Sequence, residues 1–391
     1  MKTIDDADFC DKRVIVRVDF NVPMKDGVVT DDTRIRSAIP TIKKLVGDGA
    51  KVILMSHLGR PSGNGFEQEY SLEPAARKLS DLIGRPVIFS NDTTGEAAID
   101  KIASMSDGDI LVLENLRFDS REKKNDEQFA SELASLADVY VNDAFGTAHR
   151  AHASTAGIAK FLPSYAGYLL TREVETITGM LENPVRPFVA VLGGSKVSDK
   201  IKVIDNLIDK ADTIIIGGAM CFTFLKAQGA DVGKSLVEDD WIEPCKAMLQ
   251  KAKDRDTILL LPVDVVCATE IKSGAEVKVC NAYSIDNNLM GLDIGPKTIE
   301  NYKLAISEAG SVFWNGPMGV FEIDEFAQGT KAVAEGLASN VDAKTIIGGG
   351  DSVAAVNKFN LADKMTFIST GGGASMELVQ GDTLPGVAAL G

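Results

Sequence analysis

Short runs of β-branched and other apolar residues recur along the whole chain, and a turn and a helical pattern follow each of them. Several runs, such as Ile214-Ile215-Ile216, are continuously apolar instead of alternating. Continuous runs are typical of strands covered on both faces of a parallel sheet, and repeated strand–helix alternation favours an α/β fold. The runs that predict strands are Arg13–Val18, Lys51–Met55, Ile110–Leu113, Asp138–Val141, Phe188–Leu192, Thr213–Ile216, Thr257–Leu261, Ser311–Trp314, Thr345–Ile347 and Thr366–Ile368.

The length of the chain, 391 residues, favours two domains. Near the middle, four apolar residues recur at helical spacing: Leu170, Val174, Ile177 and Leu181. This spacing predicts a helix that joins two α/β domains, although an ordinary surface helix of one domain would give the same pattern. The expected organisation is an N-terminal domain over 1–167, a joining helix over 168–182, a second domain over 183–370, and a C-terminal segment over 371–391 that returns to the first domain.

Charge and cysteine content narrow the functional class. The formal net charge of −15 argues against a general nucleic-acid binder. The five cysteines are widely spaced and form no C-x-x-C pair, so we expect a reducing compartment and neither a disulfide framework nor a zinc site. No signal peptide and no apolar run long enough for a membrane span is visible, which favours a cytoplasmic protein without membrane partners.

Polar loops follow the predicted strands of the first half. They contain Arg, His and Asn, and the guanidinium fork of Arg matches phosphate and carboxylate geometry. Since ligands of open α/β sheets bind at the carboxyl ends of strands, the first half is expected to bind a small, highly anionic substrate. The loops are Asp19–Asn21, Ser56–Arg60, Glu114–Arg117 and Asn142–Arg150.

Glycine pairs and triplets follow the predicted strands of the second half. Glycine lets bare backbone approach a phosphate, and a following helix N-terminus favours negative charge. The second half is therefore expected to bind a nucleotide, whereas any one glycine pair alone would indicate only a turn. The loops are Gly193–Lys196, Gly217-Gly218, Asn315–Gly319, Gly348–Asp351 and Gly371–Gly373.

Two further patterns resemble binding motifs but lack features that those motifs require. The segment 229–235 resembles a P-loop but has three residues between its glycines, where the motif needs four, so it predicts a surface turn. His149 and His152 lie three residues apart without an obvious third metal ligand, which favours a polar loop over a metal site.

Two other functions stay open from the residues alone. One is a nicotinamide-dependent oxidoreductase, against which the missing G-x-G-x-x-G motif counts. The other is an anion-binding protein without catalysis.

Motifs in both halves resemble those of the phosphoglycerate kinases, in the order of that family and over nearly the whole chain. The N-terminal ones are Val16–Pro23, Asp31–Arg36, Ser56–Pro61, Glu114–Phe118 and Asn142–His152. The C-terminal ones are Leu192–Ile201, Trp314–Glu322, Gly348–Ser352 and Thr370–Ser375.

The resemblance implies two Rossmann-like parallel-sheet domains that face each other across a cleft and move about a hinge. It implies reversible phosphoryl transfer from 1,3-bisphosphoglycerate to MgADP, giving 3-phosphoglycerate and ATP, by a monomer with Mg²⁺ as cofactor. The implied substrate contacts are Asp19, Phe20, Asn21, Arg34, His57, Leu58, Gly59, Arg60, Arg117 and Arg150. The implied nucleotide contacts are Lys200, Gly217, Gly218, Asn315, Pro317, Glu322, Gly349, Gly350, Asp351 and Ser352.

From these motifs we also predict roles in the reaction. Arg34 and Lys196 would contact the transferred phosphoryl group, and the amides of two glycines at helix starts, Gly350 and Gly373, would add fixed dipoles. Asp351 would meet the Mg²⁺ carried by the nucleotide. Beside Gly218 this chain has Ala219 and Cys221, which depart from the residues usual in the family, so the adenine contacts there stay open.

Overall fold

The computed structural model describes residues 1–391, which form two compact units. The first unit contains Met1–Glu175 together with Thr383–Gly391, and the second contains Thr176–Asp382. The division falls inside a helix, and after it only the last nine residues, Thr383–Gly391, belong to the first unit. In that unit the buried amide of Asn142 donates to the carbonyl oxygen of Gly386 at 3.1 Å.

Strands and helices alternate along most of the chain. The strands are β1 (Arg13–Arg17), β2 (Met24–Lys25), β3 (Val28–Val29), β4 (Lys51–Met55), β5 (Ile88–Phe89), β6 (Ile110–Val112), β7 (Val139–Asn142), β8 (Ser164–Ala166), β9 (Phe188–Leu192), β10 (Thr213–Ile216), β11 (Asp231–Val232), β12 (Ile258–Leu260), β13 (Asp264–Ala268), β14 (Lys278–Asn281), β15 (Ser284–Ile285), β16 (Met290–Ile294), β17 (Ser311–Asn315), β18 (Lys344–Gly348) and β19 (Phe367–Ile368).

The α-helices are α1 (Thr33–Gly47), α2 (Glu73–Ile83), α3 (Glu96–Ala103), α4 (Glu127–Ser135), α5 (Tyr168–Glu182), α6 (Ile201–Ile208), α7 (Met220–Ala227), α8 (Ile242–Asp254), α9 (Pro296–Ser307), α10 (Gln328–Ser339), α11 (Gly350–Lys358), α12 (Gly373–Val379) and α13 (Pro385–Ala388). None of these helices has the length and apolar content that a membrane crossing requires.

The first unit is built on a six-stranded parallel sheet of order β5-β6-β4-β1-β7-β8. Val14 and Val16 of β1 and Leu54 of β4 are fully buried against Ile35 of α1 and Leu79 of α2. Burying apolar surface on both faces of the sheet stabilises the unit. The parallel register brings the carboxyl ends of β4, β1 and β7 side by side.

The second unit repeats this plan with the strand order β12-β10-β9-β17-β18-β19, again parallel. Trp314 of β17 is fully buried in its core. The buried Tyr302 hydroxyl donates to the carbonyl oxygen of Ile216 at 2.6 Å, which ties α9 to the sheet. A three-stranded antiparallel sheet, β14-β13-β16, is added to this plan.

The predicted α/β class with parallel sheets is confirmed. Three predicted strands match β4, β9 and β10 at both ends, and the helix predicted over 168–182 is α5. The sequence pattern missed the whole antiparallel sheet and six short strands: β2, β3, β5, β8, β11 and β15. The segment 229–235, interpreted as a surface turn, contains the two-residue strand β11, which pairs with β15.

The amino end of α5 is held by a buried carboxylate. The backbone amides of Leu169 and Leu170 donate to Oδ1 of Asp143 at 2.9 and 3.3 Å. Asp143 is fully buried, and its Oδ2 atom has no hydrogen-bond partner. Burial raises the pKa of Asp143 to about 7, although the helix amides favour the ionised form.

Replacement of Asp143 by Asn should therefore change the stability in a pH-dependent way. The folded-state pKa of about 7 lies above the unfolded value of about 4, so the protonated carboxyl group stabilises the fold in acid. This stabilisation is lost as the pH rises from about 4 to about 7. Asn keeps an oxygen acceptor for the helix amides and cannot ionise. We expect the free energy of unfolding of D143N minus that of wild type to be ~1–3 kcal/mol higher at pH 8 than at pH 5, so that the variant gains stability relative to wild type.

Urea denaturation at the two pH values measures this difference. The exposed Asp26 provides a control, because D26N removes a carboxylate in a solvated turn. An equal difference between D143N and wild type at both pH values would contradict the interpretation.

Candidate active site

The polar residues predicted in the first half lie at the carboxyl edge of the first sheet. They follow the adjacent strands β1, β4, β6 and β7, except for Arg34, which lies in the first turn of α1. Crossover connections in a parallel sheet put the loops after every strand on the same edge. The fold therefore brings together residues that are up to 131 positions apart in sequence, from Asp19 to Arg150.

A chain of polar contacts connects five of these residues. Arg34 Nη1 donates to the backbone oxygen of Asn21 at 2.8 Å and lies 3.2 Å from Oδ2 of Asp19. Oδ1 of Asn21 accepts from the amide of Gly59 at 2.9 Å, and Arg117 Nη1 donates to the carbonyl oxygen of Gly59 at 2.7 Å. Two arginines from distant segments are thereby fixed around one loop.

Gly59 is required by that loop. Its φ of +63° is in the left-handed region, and a Cβ atom there would lie 2.3 Å from the ring of Tyr70. Any side chain would both strain the backbone and displace the ring. The glycine thus allows the Asn21 and Arg117 contacts to be made by backbone atoms.

Positive charge accumulates at this edge without matching negative charge. Desolvation, together with the charges of Arg150, Arg17 and Arg60, lowers the pKa of Arg117 to about 10. Its Nε atom is buried and has no hydrogen-bond partner. Arg60 and Arg150 are exposed. With this unsatisfied donor and two exposed guanidinium groups, the cluster is suited to bind an anion.

His57 lies within the same cluster and is almost fully buried, with 3% of its surface exposed. Desolvation, together with the charges of Arg17, Arg117, Arg150 and Arg34, holds the pKa of His57 well below its ordinary value. The neutral imidazole can act as one donor and one acceptor, and it adds no further positive charge.

Two residues of the predicted set have their side chains in the core instead. Phe20 and Leu58 pack into the apolar cluster of the first unit. The Phe20 amide donates to Ser56 Oγ, and both backbone groups of Leu58 bond to the Asn115 side chain. These residues position the loops, and the anion-binding groups are supplied by their neighbours.

The sequence reasoning assigned no role to a buried charged group behind this cluster. Arg17 is 1% exposed at the end of β1, and its Nε donates to Ser154 Oγ at 2.9 Å. Ser154 in turn donates from Oγ to the fully buried Glu122 at 2.6 Å. The available signal was an arginine within an otherwise apolar strand, Val14–Val18, because a charge in that position must have buried partners.

The glycine-rich loops of the second unit lie together at the carboxyl edge of the second sheet. They follow the adjacent strands β10, β9, β17, β18 and β19. Their backbones touch: a Cβ atom on Gly193 would lie 2.1 Å from the carbonyl oxygen of Pro317, and one on Gly218 would lie 2.5 Å from the backbone of Gly194. No larger residue could preserve this packing.

Two predicted nucleotide residues are buried and hold the loops. Nδ2 of Asn315 donates to the carbonyl oxygen of Gly348 at 2.7 Å, and Oγ of Ser352 accepts from the amide of Gly316 at 2.6 Å. Asn315 and Ser352 therefore fix the loop after β17 to the start of α11. Gly350 and Gly373 begin α11 and α12, where first-turn amides lack intrahelical acceptors.

Charged residues border these loops. Lys196, Glu322 and Asp351 are exposed, and Lys200 is partly buried. Burial lowers the pKa of Lys200 to about 8, and the charges of Asp199 and Asp351 oppose that shift. A partly desolvated ammonium group beside a helix N-terminus is suited to bind phosphate oxygens.

A cavity of about 510 Å³ opens beside the loops, between β16 and the segment after β17. Its walls include Gly218, Phe222, Met290, Leu292 and Met318. The apolar lining and the polar loops at its rim suit a planar base with attached phosphates. Ala219 and Cys221 also line it, so the substitutions noted in the sequence lie at this pocket.

A larger cavity, about 700 Å³, lies at the other edge of the same sheet. It is lined by residues at the amino ends of β9 and β10, such as Pro187 and Thr213, and by Leu304 of α9. It lacks the glycine-rich loops and the helix N-termini of the first cavity. We therefore place the candidate site at the carboxyl edges.

Similarity to known proteins agrees with this arrangement. The family model "Phosphoglycerate kinase" matches residues 4–382. The phosphoglycerate kinase of Clostridium novyi is 56% identical over 100% of this chain and 98% of its own. That of Thermosipho africanus is 54% identical over 99% of this chain and 97% of its own.

Solved structures agree as well. The structure of phosphoglycerate kinase from Coxiella burnetii has a TM-score of 0.91 at 44% identity and covers 99% of this chain and 98% of its own. The one from Pyrococcus horikoshii has a TM-score of 0.81 at 34% identity and covers 100% of this chain and 98% of its own. Fold and sequence define the chain as a kinase built from two α/β units. It belongs to the phosphoglycerate kinase family.

The unpaired charge around Arg117 predicts a measurable anion effect. Inorganic sulfate should raise the melting temperature of wild type, because it neutralises the arginine cluster of the first unit. R117Q removes one charged donor, and we expect its affinity for sulfate to fall about tenfold, as for the loss of one charge-assisted hydrogen bond.

Differential scanning calorimetry against sulfate, at constant ionic strength with chloride, tests this expectation. R36Q is the matched control, because Arg36 is exposed and pairs with Asp32. Equal sulfate responses of R117Q, R36Q and wild type would show that the cluster binds no anion.

Proposed function

We propose that this chain catalyses reversible phosphoryl transfer from 1,3-bisphosphoglycerate to MgADP, giving 3-phosphoglycerate and ATP. One observation carries the proposal: the two units have different loops at equivalent carboxyl edges, cationic in one and glycine-rich in the other. Membership of the phosphoglycerate kinase family supports it. The cationic edge suits an acid with two anionic groups, and the glycine-rich edge suits a nucleotide.

The substrate assignment follows from the charges of the first unit. Arg34, Arg60, Arg117 and Arg150 would bind the phosphate and carboxyl oxygens of the substrate, and His57 would add a neutral hydrogen bond. Asp19 and Asn21 hold Arg34 in place through contacts of 2.8 Å to the backbone oxygen of Asn21 and 3.2 Å to Oδ2 of Asp19. We propose that Phe20, Leu58 and Gly59 shape the loops without contributing charge.

The nucleotide assignment follows from the second unit. The cavity beside Gly217 and Gly218 would take the base, and the loop 349–352 with Lys200 would bind the phosphates. Pro317 and Glu322 would lie along the nucleotide. Asp351 is a single exposed carboxylate at a helix start, which fits an Mg²⁺ that keeps its waters and is held mainly by phosphates. Mg²⁺, when bound, neutralises phosphate charge.

The chemistry requires positioning and charge neutralisation more than covalent help from the protein. We propose in-line attack by the terminal ADP oxygen on the 1-phosphoryl group, with the carboxylate of 3-phosphoglycerate as leaving group. Arg34 would hold the phosphoryl group and the carboxyl end, and Lys196 would contact the equatorial oxygens. The amides of Gly350 and Gly373 would donate to developing negative charge. Because the acyl phosphate is already reactive, no strong general base is needed.

Transfer requires that the two ligands meet, and each unit carries only one set of loops. The proposal therefore includes a hinge movement that brings the ligands together and excludes water, which would otherwise accept the phosphoryl group. A cytoplasmic location and a monomeric state are also part of the proposal. Sedimentation of the purified protein would test the monomer.

A coupled assay tests the activity. MgATP and 3-phosphoglycerate are supplied, and NADH oxidation is followed through added glyceraldehyde-3-phosphate dehydrogenase. NADH loss that needs both substrates and Mg²⁺ would establish the reaction. A folded protein without NADH loss, with the coupling enzyme verified, would refute it and favour an anion-binding protein.

Replacement of Lys196 by Ala tests the proposed charge contact. We expect kcat to fall by roughly 10²–10³, as when one preorganised transition-state donor is removed, while the melting temperature stays within about 2 °C. K202A is the control, because Lys202 is an exposed lysine on α6. Near-normal turnover of K196A in the same assay would remove Lys196 from the mechanism.

A further inference from the structure

Arg17 makes a contact that fixes the chemistry of a neighbouring side chain. Its Nη2 atom lies 3.1 Å from Nδ1 of His57, and its Nη1 bonds to the carbonyl oxygen of Val18. With its Nε on Ser154, each nitrogen of the guanidinium has an acceptor. The side chain is 1% exposed, so this arrangement is enclosed in the protein.

A guanidinium group has donors only and does not lose its proton in proteins. Nδ1 of His57 must therefore accept the hydrogen bond, and it cannot carry a proton. A neutral imidazole has one proton, which must then reside on Nε2. No protein group bonds to Nε2, which leaves this N–H free for a ligand.

The surrounding charges keep the ring neutral. Arg17 lies on β1, Arg34 on α1, Arg117 after β6 and Arg150 after β7, and all four oppose a positive charge on His57. The nearby carboxylates are engaged elsewhere: Asp19 pairs with Arg34, and Glu122 bonds to Ser154 on the far side of Arg17. No carboxylate is hydrogen-bonded to the imidazole.

We propose that Arg17 is a positioning residue that locks His57 in the Nε2–H tautomer, so that His57 donates a hydrogen bond to the anionic substrate. Arg17 itself is buried behind the ring and touches no ligand. The substrate role of the hydrogen bond rests on the proposed function, whereas the tautomer does not. Because His57 stays neutral, its contribution to binding is constant from about pH 6 to pH 8, where an ordinary histidine would titrate.

The chain is well suited to a direct test, since it contains only three histidines. Long-range ¹H–¹⁵N correlation spectra of the full ¹⁵N-labelled protein distinguish the two neutral tautomers and the imidazolium, and loss of one ring in H57Q assigns His57. We expect a protonated Nε2 and an unprotonated Nδ1 in wild type from pH 6 to pH 8. A proton on Nδ1, or titration within this range, would overturn the proposal.

R17Q tests the cause, because an amide side chain can accept as well as donate and no longer dictates the tautomer. We expect mixed tautomers and a pKa of His57 that moves up toward its ordinary value. R17K keeps a donor-only group and should retain the wild-type tautomer. R13Q is the matched control, as Arg13 is a half-buried arginine of the same strand that pairs with Asp138 at the protein surface and does not contact His57.

Kinetics provide a second measurement. In R17Q, KM for 3-phosphoglycerate should rise about tenfold, which corresponds to one charge-assisted hydrogen bond, and should vary with pH, while kcat changes less. Should R17Q not fold, the wild-type and R17K spectra still decide the tautomer. An inactive protein with the expected tautomer would refute the proposed function alone, and an active one with the proton on Nδ1 would refute this inference alone.

Discussion

The parallel pairing of β1 with β4 and β7, and of β17 with β9 and β18, is the constraint on which the rest of the structure depends. Parallel neighbours with right-handed crossovers place each following loop on the same edge. Residues that are remote in sequence, such as Asn21 and Arg117, therefore meet across Gly59. A slip of one residue in either register would turn the buried strand residues over and separate these loops.

The arginine cluster of the first unit lowers the stability of the protein without an anion. Arg17, Arg117 and Arg150 repel one another, and Nε of Arg117 is buried without an acceptor. An unsatisfied charged donor is costly in the free protein, and an anion that supplies the missing acceptors regains that energy. Asp143 at the start of α5 also combines opposing effects: its carboxylate accepts hydrogen bonds from the helix amides, but its complete burial disfavours the charge.

The sequence predicted the parts of the fold that local pattern controls. Continuous apolar runs located β4, β9 and β10 at both ends, and the spacing of Leu170 and Ile177 located α5. Two-residue strands such as β5 are too short to show a hydrophobic period. The strands β13 and β16 of the antiparallel sheet contain polar residues or glycine, such as Asp264 and Gly291, so their apolar runs are too short to predict them. The site residues followed from their places after strands and from family resemblance.

The sequence pattern could not predict the side-chain contacts inside the candidate site. Arg17 was visible only as an arginine in an apolar strand, and its link to His57 depends on a side chain rotamer. Likewise, nothing in the sequence showed that Phe20 and Leu58 face the core while Asn21 and Gly59 form the loop contacts. Such assignments need three-dimensional packing because neighbouring residues in one loop serve opposite purposes.

The last nine residues have a consequence for biosynthesis. Thr383–Gly391 packs into the unit that the N-terminus begins, with Asn142 bonded to Gly386. Until residues 383–391 have been translated, the first unit lacks this segment, even though its sheet is already present in the nascent chain. The first unit begins to be translated before the second one, but all residues of the second unit are translated before the last residues of the first.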